Sequence, residues 1–134
     1  MNNFECKMEM LDLYFSKFDF SYDREDKDRE FNTSFEIEYF INNDNDSQIK
    51  VVVDTSVTNS SQSIIINLQT VGVFQINKEG MSQTEFDTMA TKNTVAILFP
   101  YIRSQISLMT TQPGMHPIII PPMNIVSLIN TQKK

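Results

Sequence analysis

The stretch "FNTSFEIEYFINNDNDSQIKVVVDTSV", residues 31–57, decides the fold because it contains two strand patterns separated by a turn. In its first part apolar residues alternate with polar ones, and Glu36 and Glu38 share the polar side. A period of two is typical of a strand with one buried and one wet face. Asn and Asp at 42–46 favour a turn, and residues 47–57 are rich in β-branched side chains, which favour a second strand. The stretch therefore predicts an antiparallel hairpin.

A longer alternating segment, residues 5–22, precedes this hairpin. Its apolar positions change parity twice along the chain, from Cys6, Met8 and Met10 to Leu11, Leu13 and Phe15, and back to Phe18, Phe20 and Tyr22. We expect one long strand with bulges or a bend at the parity changes. The charge run "DREDKDRE", residues 23–30, predicts a solvated connector between this strand and the hairpin.

After the hairpin, "SIIINLQTVGVFQI", residues 63–76, predicts a fourth strand, and Gly72 within it indicates a bulge or the close approach of another backbone. From about residue 84 to residue 111 the apolar spacing becomes helical, with steps of three or four between Val95, Leu98, Ile102, Ile106 and Met109. Pro100 lacks a backbone N–H and would clash one turn back. We therefore expect it near the helix start or at a kink, with Asn93 or Thr94 as the cap.

A short last helix is predicted over 124–132, with Asn124 as its cap and an apolar stripe of Ile125, Leu128 and Ile129. Strands followed by helices along the chain indicate an α+β fold. The prediction is a four-stranded antiparallel sheet followed by a long and a short helix packed on one face. A chain of 134 residues fits one domain, 1–134, without a long C-terminal tail.

Charge and composition indicate which partners and which cellular location the protein is expected to have. The net charge is −6, and residues 1–54 contain fourteen Asp or Glu against six Lys or Arg. Binding to nucleic acid requires clustered cations, so we expect no nucleic acid partner and an acidic surface that attracts cationic segments. No run of about 18 apolar residues indicates membrane insertion, and the N-terminus shows no signal peptide. A single cysteine, Cys6, excludes an internal disulfide and suits a reducing cytoplasmic location.

The sequence offers little for catalysis. His116 is the only histidine and lies in a Pro-rich loop, where an exposed position is expected. Cys6 is expected as a structural strand thiol, and Asp44 and Asp46 as turn residues. Arg103 is expected in a surface or interface pair, with anion binding as the alternative. We therefore expect no enzyme activity, no metal and no cofactor.

The sequence is rich in apolar residues for which no chemical role is evident, and it contains eight Met. Met suits either core filling or an adaptable binding surface. At "ILFPYIRSQISLM", residues 97–109, the chain resembles the family of the bacterial protein-export chaperone SecB, which has a nearly identical "LFPYAR" at the start of its long helix. "PPMNI", residues 121–125, is similar to that family's "APVNF" entry to the last helix. Weaker similarity covers "LQTVGVFQI", residues 68–76, and "LYFSKFDFSY", residues 13–22.

The resemblance implies a homotetramer, a dimer of dimers, with the long helices at its centre between the sheets. It also implies an ATP-independent holdase that keeps precursor polypeptides unfolded for export by translocation. The long helix then supplies the oligomer interface through Leu98, Tyr101, Ile102, Gln105, Ile106 and Met109. The family's apolar client groove maps onto Ile118, Ile119, Ile120, Met123, Ile125, Leu128 and Ile129, with Phe15 and Phe18 added.

Two departures concern delivery to the ATPase SecA, the family's partner in export. SecB proteins contact SecA through acidic residues on the outer sheet face, whereas this chain has Asn67 at the matching place. The C-terminal tail that also touches SecA is nearly absent here. Asp12, Glu36 and Glu38 are the acidic residues expected to substitute. The alternative function is a SecB-like module dedicated to one partner, such as an unstable antitoxin, without SecA delivery.

Overall fold

The computed structural model describes residues 7–26, 28 and 30–122. Its four strands are β1 (Met8–Tyr22), β2 (Asn32–Asn42), β3 (Asn45–Thr58) and β4 (Ile64–Ile76). All neighbours pair antiparallel in the order β1-β4-β3-β2, which leaves β1 and β2 as the edges of this sheet. A helical region follows, made of α1 (Gln83–Thr88), a π-helical segment (Met89–Asn93) and α2 (Thr94–Met109). The α+β architecture is confirmed, while the short helix predicted over 124–132 lies outside the described residues.

The two bulges predicted in β1 are present. β1 has 15 residues, whereas β4, its only strand neighbour, has 13. The register shifts between Met10 and Asp12 and again between Phe15 and Lys17, so Leu11 and Ser16 are the extra residues. Each bulge changes the parity once, which returns the next apolar residues of β1 to the face that the helix covers.

The helix crosses β3 and β4 on one face of the sheet, the helix face. Its buried side is formed by Val95, Leu98, Phe99, Ile102 and Ile106. Phe99 meets Phe35 of β2 with ring centroids 5.5 Å apart in an edge-on arrangement. Full burial of such side chains contributes about 1.5–3 kcal/mol each, so this contact between helix and sheet is the main core of the protein.

Gly72 of β4 lies under Leu98 of α2. A Cβ atom at this position would be 2.7 Å from Leu98 Cδ2 and 2.8 Å from Phe74 Cε1. The predicted close approach of another backbone is therefore wrong, because side chains fill the space at Gly72. The register of β4 is regular here on both sides, with Leu13 and Val51 opposite Gly72, so the alternative of a bulge is wrong.

The helical region begins at Gln83, close to the residue 84 expected from the apolar spacing, but the predicted cap at Asn93 or Thr94 is wrong. The N-cap is Ser82, whose side chain accepts from Glu85 N at 3.1 Å while Glu85 Oε1 accepts from Ser82 N at 3.1 Å. Asn93 makes no side-chain cap hydrogen bond, because the chain is already helical on its N-terminal side. Pro100 consequently lies seven residues into α2 and not in a first turn.

The acidic connector after β1 is partly ordered by its own side chains. Asp23 Oδ1 accepts from Glu25 N at 3.0 Å, and Asp26 Oδ1 accepts from Asp28 N at 2.8 Å. These are short turns in which a carboxylate replaces a backbone acceptor. Asn59 Nδ2 donates to the Asp28 carbonyl at 3.1 Å, which attaches the connector to the loop between β3 and β4.

Candidate functional site

The helix does not cover all of the sheet, and an apolar row on β1 stays accessible beside it. We call Leu13, Phe15, Phe18, Phe20 and Tyr22 the β1 row; all five pair with helix-face residues of β4. Phe18 is 51% exposed, and its ring centroid lies 5.8 Å from that of Phe15. The rings of Phe20 and Tyr22 stack at 6.4 Å. At about 3.3 Å per residue the row is roughly 25–30 Å long.

Phe15 and Phe18 were predicted as client-contacting residues, and the structure places them together in this row. Phe20 and Tyr22 were missed as site residues. Their signal was present in the parity of the alternation, which puts them on the same face as Phe18. What the alternation does not show is that β1 is an edge strand, and this position is the reason that the row remains accessible.

The loop after α2 holds its three isoleucines in alternating orientations. Ile118 and Ile120 are 5% and 3% exposed, whereas Ile119 is 74% exposed. Arg103 Nε donates to the Ile120 carbonyl at 2.7 Å, and Ser107 Oγ donates to the Ile118 carbonyl at 2.8 Å. These bonds attach the loop backbone to α2 in an extended form.

Of the three isoleucines predicted to line a client groove, two therefore belong to the core of this chain. Of the three, only Ile119 has an exposed side chain. The remaining predicted groove residues, Met123, Ile125, Leu128 and Ile129, lie outside the described residues.

A groove separates the outer side of α2 from this loop. Its volume is about 490 Å³, and its lining combines apolar and hydroxyl side chains with one guanidinium. We call it the helix–loop groove; its main lining residues are Pro100, Arg103, Ser104, Leu108, Ile119 and Ile120.

The helix α2 has a second apolar side that points away from the sheet. Ile97, Tyr101 and Leu108 are exposed there, and we call these three residues the outer stripe. Their spacing of four and seven residues places them along one side of a helix. Nothing in the described residues covers this stripe.

The predicted oligomer interface is split by this arrangement. Leu98, Ile102 and Ile106 are fully buried against the chain's own sheet. Gln105 and Met109 are half-buried, and Tyr101 is exposed. Ile97 and Leu108 are exposed but were not among the predicted interface residues, because the periodicity of the sequence identifies apolar positions but not which of two apolar sides faces the sheet.

The acidic residues proposed from sequence lie on the other face of the sheet, the outer face. Asp12 is on β1, whereas Glu36 and Glu38 are on β2, and all three are exposed. Since two strands separate β1 from β2, and Asp12 is level with Phe40 in the register, Asp12 is more than about 14 Å from the other two. Asn67 lies on β4 opposite Asp19 of β1, and it accepts from Ser56 Oγ at 2.9 Å. The three acids therefore do not form one cluster.

Two side chains have shifted pKa values, and each shift has a structural cause. Burial raises the pKa of Tyr39 to about 12, and the Tyr39 hydroxyl donates to the Thr91 carbonyl in the π-helical segment at 2.7 Å. The hydrogen bonds from the Ser82 backbone and then the Ser82 side chain lower the pKa of Glu85. Both groups are thus engaged in holding the helical region.

His116 is exposed in the loop after α2, as predicted. Cys6 lies outside the described residues. Within 7–26, 28 and 30–122, no group of three or more His, Cys, Asp or Glu side chains is arranged to hold a metal ion. In the same part of the chain, each helix is too short or too polar to cross a membrane.

Comparison with protein families gives one match over nearly the whole chain. The family model described as "Preprotein translocase subunit SecB" matches residues 10–134. The protein-export protein SecB of Nitrosospira multiformis is 32% identical over 88 residues, which is 63% of this chain and 54% of that protein. An uncharacterized protein of Methanocaldococcus jannaschii is 28% identical over 81 residues, 60% of this chain and 51% of that protein. The matched region thus spans about half the length of these two relatives.

A solved structure shares the fold. The SecB-like chaperone of Mycobacterium tuberculosis superposes with a TM-score of 0.71 over 88% of each chain, at 16% sequence identity. That chaperone was solved in complex with a peptide from an antitoxin. At this level of identity the likeness establishes the architecture of sheet and helix.

Proposed function

The chain belongs to the SecB family, and on this basis we propose that it is a chaperone that binds unfolded polypeptides through exposed apolar surfaces. It acts as an ATP-independent holdase and catalyses no reaction. Its clients are segments that have not folded, since only these present several apolar side chains in an extended form.

The observation that carries this proposal is the partly uncovered β1 row. A small acidic protein gains nothing for its own stability from an exposed Phe18, and exposed aromatic patches of this kind mark interaction sites. The row is continuous and roughly 25–30 Å long. An extended client segment of about eight residues would match the length of the row.

We further propose that the protein assembles as a homotetramer, a dimer of dimers, through the outer stripe of α2. Apolar surface left exposed on a helix is commonly buried by a second copy. Several copies of the β1 row on one assembly would bind one client at several points. The resulting avidity exceeds the affinity of each contact without demanding a specific sequence.

Export of precursors from the cytoplasm, with delivery to SecA, is part of the proposal. Asp12, Glu36 and Glu38 are the acids that would contact SecA. Their separation over the outer face means that a partner must span the sheet to meet all three, and Asn67 on the same face adds no charge.

A second function has support from one specific observation. The Mycobacterium tuberculosis chaperone that shares this fold was solved with an antitoxin peptide. By analogy, this chain would serve one dedicated partner through the same surface, and SecA would play no part.

The test of the chaperone function is suppression of aggregation. An unfolded client is diluted into buffer with a several-fold excess of the protein and without nucleotide, and light scattering is followed. A folded protein that does not delay aggregation would contradict the proposal. Affinity capture from the native cell then separates the two versions, since many precursors indicate a general chaperone and one stoichiometric partner indicates a dedicated module.

A further inference from the structure

The side of β2 that faces away from β3 is a free edge of the sheet. β2 pairs only with β3, and the described residues make no other hydrogen bond to the main chain of residues 33–41. In an antiparallel strand every second residue directs its N–H and C=O away from a given neighbour. The edge of β2 therefore has a row of unpaired donors and acceptors, which is the arrangement to which a further strand can add.

Most features that protect an edge strand are missing from β2. Its residues Asn32–Ile41 pair with β3 without a register shift, so no bulge turns this part of the edge away. The strand contains no Pro and no Lys, and its 11 residues make it long for an edge. The only charged residues of β2 are Glu36 and Glu38, both exposed on the outer face. These two carboxylates therefore decide which strand can add.

The carboxylates disfavour a second copy of β2 as the added strand. When two β2 strands pair antiparallel with their outer faces on the same side, the central registers place Glu36 opposite Glu38, Glu36 opposite Glu36, or Glu38 opposite Glu38. Like charges directly opposite each other destabilise such a pair. The two acids thus act against self-association through this edge, as charges on edge strands commonly do.

Within the described part of the chain the two acids have no cationic partner. No Lys or Arg there forms an ion pair with Glu36 or Glu38. The residue opposite Glu36 on β3 is a further carboxylate, Asp54, whose Oδ1 accepts from Gln69 Nε2 at 2.9 Å. An incoming strand with Lys or Arg beside Glu36 and Glu38 would supply the missing cations, because opposite charges across an antiparallel pair stabilise it.

The same edge is apolar on the helix face of the sheet. Ile37 and Tyr39 are half-buried there, and Ile41 is 58% exposed. Since side chains alternate between the two faces along a strand, residues of an added strand that lie between its cations would contact these three. A segment in which Lys or Arg alternates with apolar residues therefore fits both faces of the edge.

We propose that β2 accepts an extended polypeptide segment as a fifth strand, antiparallel to β2, with Lys or Arg facing Glu36 and Glu38. Apolar residues between these cations pack on the helix face. The inference goes beyond the proposed function, because it uses neither the β1 row nor Ile119. The site also stays open in the proposed assembly, since α2 packs on β3 and β4 and its outer stripe points away from the sheet.

The experiment measures the affinity of three fluorescent peptides of about nine residues, which matches the paired length of β2. The peptides alternate Val with Thr and differ only at two Thr positions two residues apart, which become Lys, Gln or Glu. Acetylated and amidated ends leave these positions as the only charges. We expect the assembled wild-type protein to bind the Lys peptide about fivefold more tightly than the Gln peptide, and the Glu peptide most weakly.

A charge exchange tests the role of the two acids. Glu36→Lys combined with Glu38→Lys should reverse the order, so that the Glu peptide binds most tightly. Glu9→Lys combined with Asp12→Lys is the matched control, because it makes the same change of charge at exposed outer-face positions of β1. This control should keep the wild-type order. A control that also reverses the order would show that the peptides respond to net charge only, and the proposal would fall.

Methylation of the peptide nitrogens tests the pairing of the main chain. A methyl group on an amide that faces β2 removes a hydrogen bond of the ladder, whereas the alternate amides face away from β2. Of the two alternate sets of amides in the Lys peptide, methylation of one should abolish measurable binding. Methylation of the other should change the affinity by less than about threefold. Equal effects of the two sets would contradict strand addition.

The remaining outcomes separate this inference from the chaperone function. A wild-type protein that delays client aggregation but binds none of the three peptides would overturn the strand site and leave the chaperone function standing. A protein that shows the expected order of affinities but does not delay aggregation would support the strand site and overturn the chaperone function. A fall in the mass of the assembly on saturation with the Lys peptide would show that a second copy occupies β2 and would overturn the inference.

Discussion

Leu98 of α2 lies directly on Gly72 of β4, so close that a single added methyl group would be 2.7 Å from Leu98 Cδ2. The helix therefore packs against the backbone of the sheet at this point and not against a side chain. This contact sets the distance between the two layers and hence the depth of the core on both sides of it.

Gly72→Ala should destabilise the protein by about 1–3 kcal/mol, because the new Cβ overlaps Leu98 and Phe74. Urea unfolding measures the change. Leu98→Ala creates a cavity and should also destabilise. The double variant should lose less than the sum of the two, since the alanine at 98 makes room for the alanine at 72. Strict additivity would show that the contact is not the cause.

Ser82→Ala should cost about 1 kcal/mol of stability, because it removes one half of the capping box that Ser82 and Glu85 form. Asn93→Ala is the matched control. Asn93 was the cap expected from sequence, but it makes no cap hydrogen bond, so its replacement should change the free energy of unfolding very little. Equal losses in the two variants would contradict the observed helix start.

Tyr39→Phe should change how stability depends on pH. Burial raises the pKa of Tyr39 from 10.0 to about 12, so the folded protein favours the neutral phenol. The stability of the fold that depends on the neutral Tyr39 phenol is fully present below pH 10 and is lost as the pH rises towards 12. In urea unfolding at pH 8 and pH 11, the wild-type protein should lose more stability than the variant. At pH 8 the free energy of unfolding of the variant should also be lower by about 1 kcal/mol, because the hydrogen bond to the Thr91 carbonyl is absent.

Leu108→Asp should dissociate the proposed assembly, because it puts a charge into the outer stripe, where Leu108 is 66% exposed in the single chain. Light scattering coupled to gel filtration reports the mass, and circular dichroism checks that the fold remains. Phe40→Asp introduces the same charge on the outer face of the sheet and should leave the mass unchanged. A wild-type protein that is already monomeric would refute the interface.

Phe18→Ser and Ile119→Ser should each weaken the suppression of client aggregation several-fold, because both side chains are exposed and apolar. Neither belongs to the buried core, so the melting temperature should change little. Ile65→Ser is the control, since Ile65 is exposed on the opposite face of the sheet. If all three replacements had equal effects, clients would bind to any exposed apolar side chain and not specifically to Phe18 and Ile119.

The strands and their irregularities could be predicted because they depend on local pattern. The parity changes around Met10 and Phe15 mark the two bulges, whereas Gly72 marks a close contact with the Leu98 side chain and not with another backbone. The apolar spacing gave the extent of the helical region, but the capping residue could not be predicted from that spacing alone. Ser82 and Glu85, three residues apart, have the sequence pattern of a capping box. The prediction instead used Pro100 as a marker of the helix start and therefore chose Asn93 or Thr94 as the cap.

The site could be predicted only in outline, because burial is a property of the whole fold. Three consecutive isoleucines have equal hydropathy. Their different burial depends on three hydrogen bonds to the loop backbone: Arg103 and Ser107 donate to its carbonyls, and Thr110 accepts from the Ile118 N–H. The same limit applies to α2. Leu98 and Leu108 are the same residue type, yet one is fully buried and the other is exposed.

The two bulges in β1 also determine where this strand can change length. Leu11 and Ser16 have no partner in the register with β4, so deleting either one would only make the pairing regular and would keep every aromatic residue of β1 on its present side. β4 has no unpaired residue against either neighbour. A deletion there would move the side chains of part of that strand to the opposite face of the sheet. Single-residue deletions in descendants of this chain should therefore be tolerated at positions 11 and 16 of β1 and be selected against in β4.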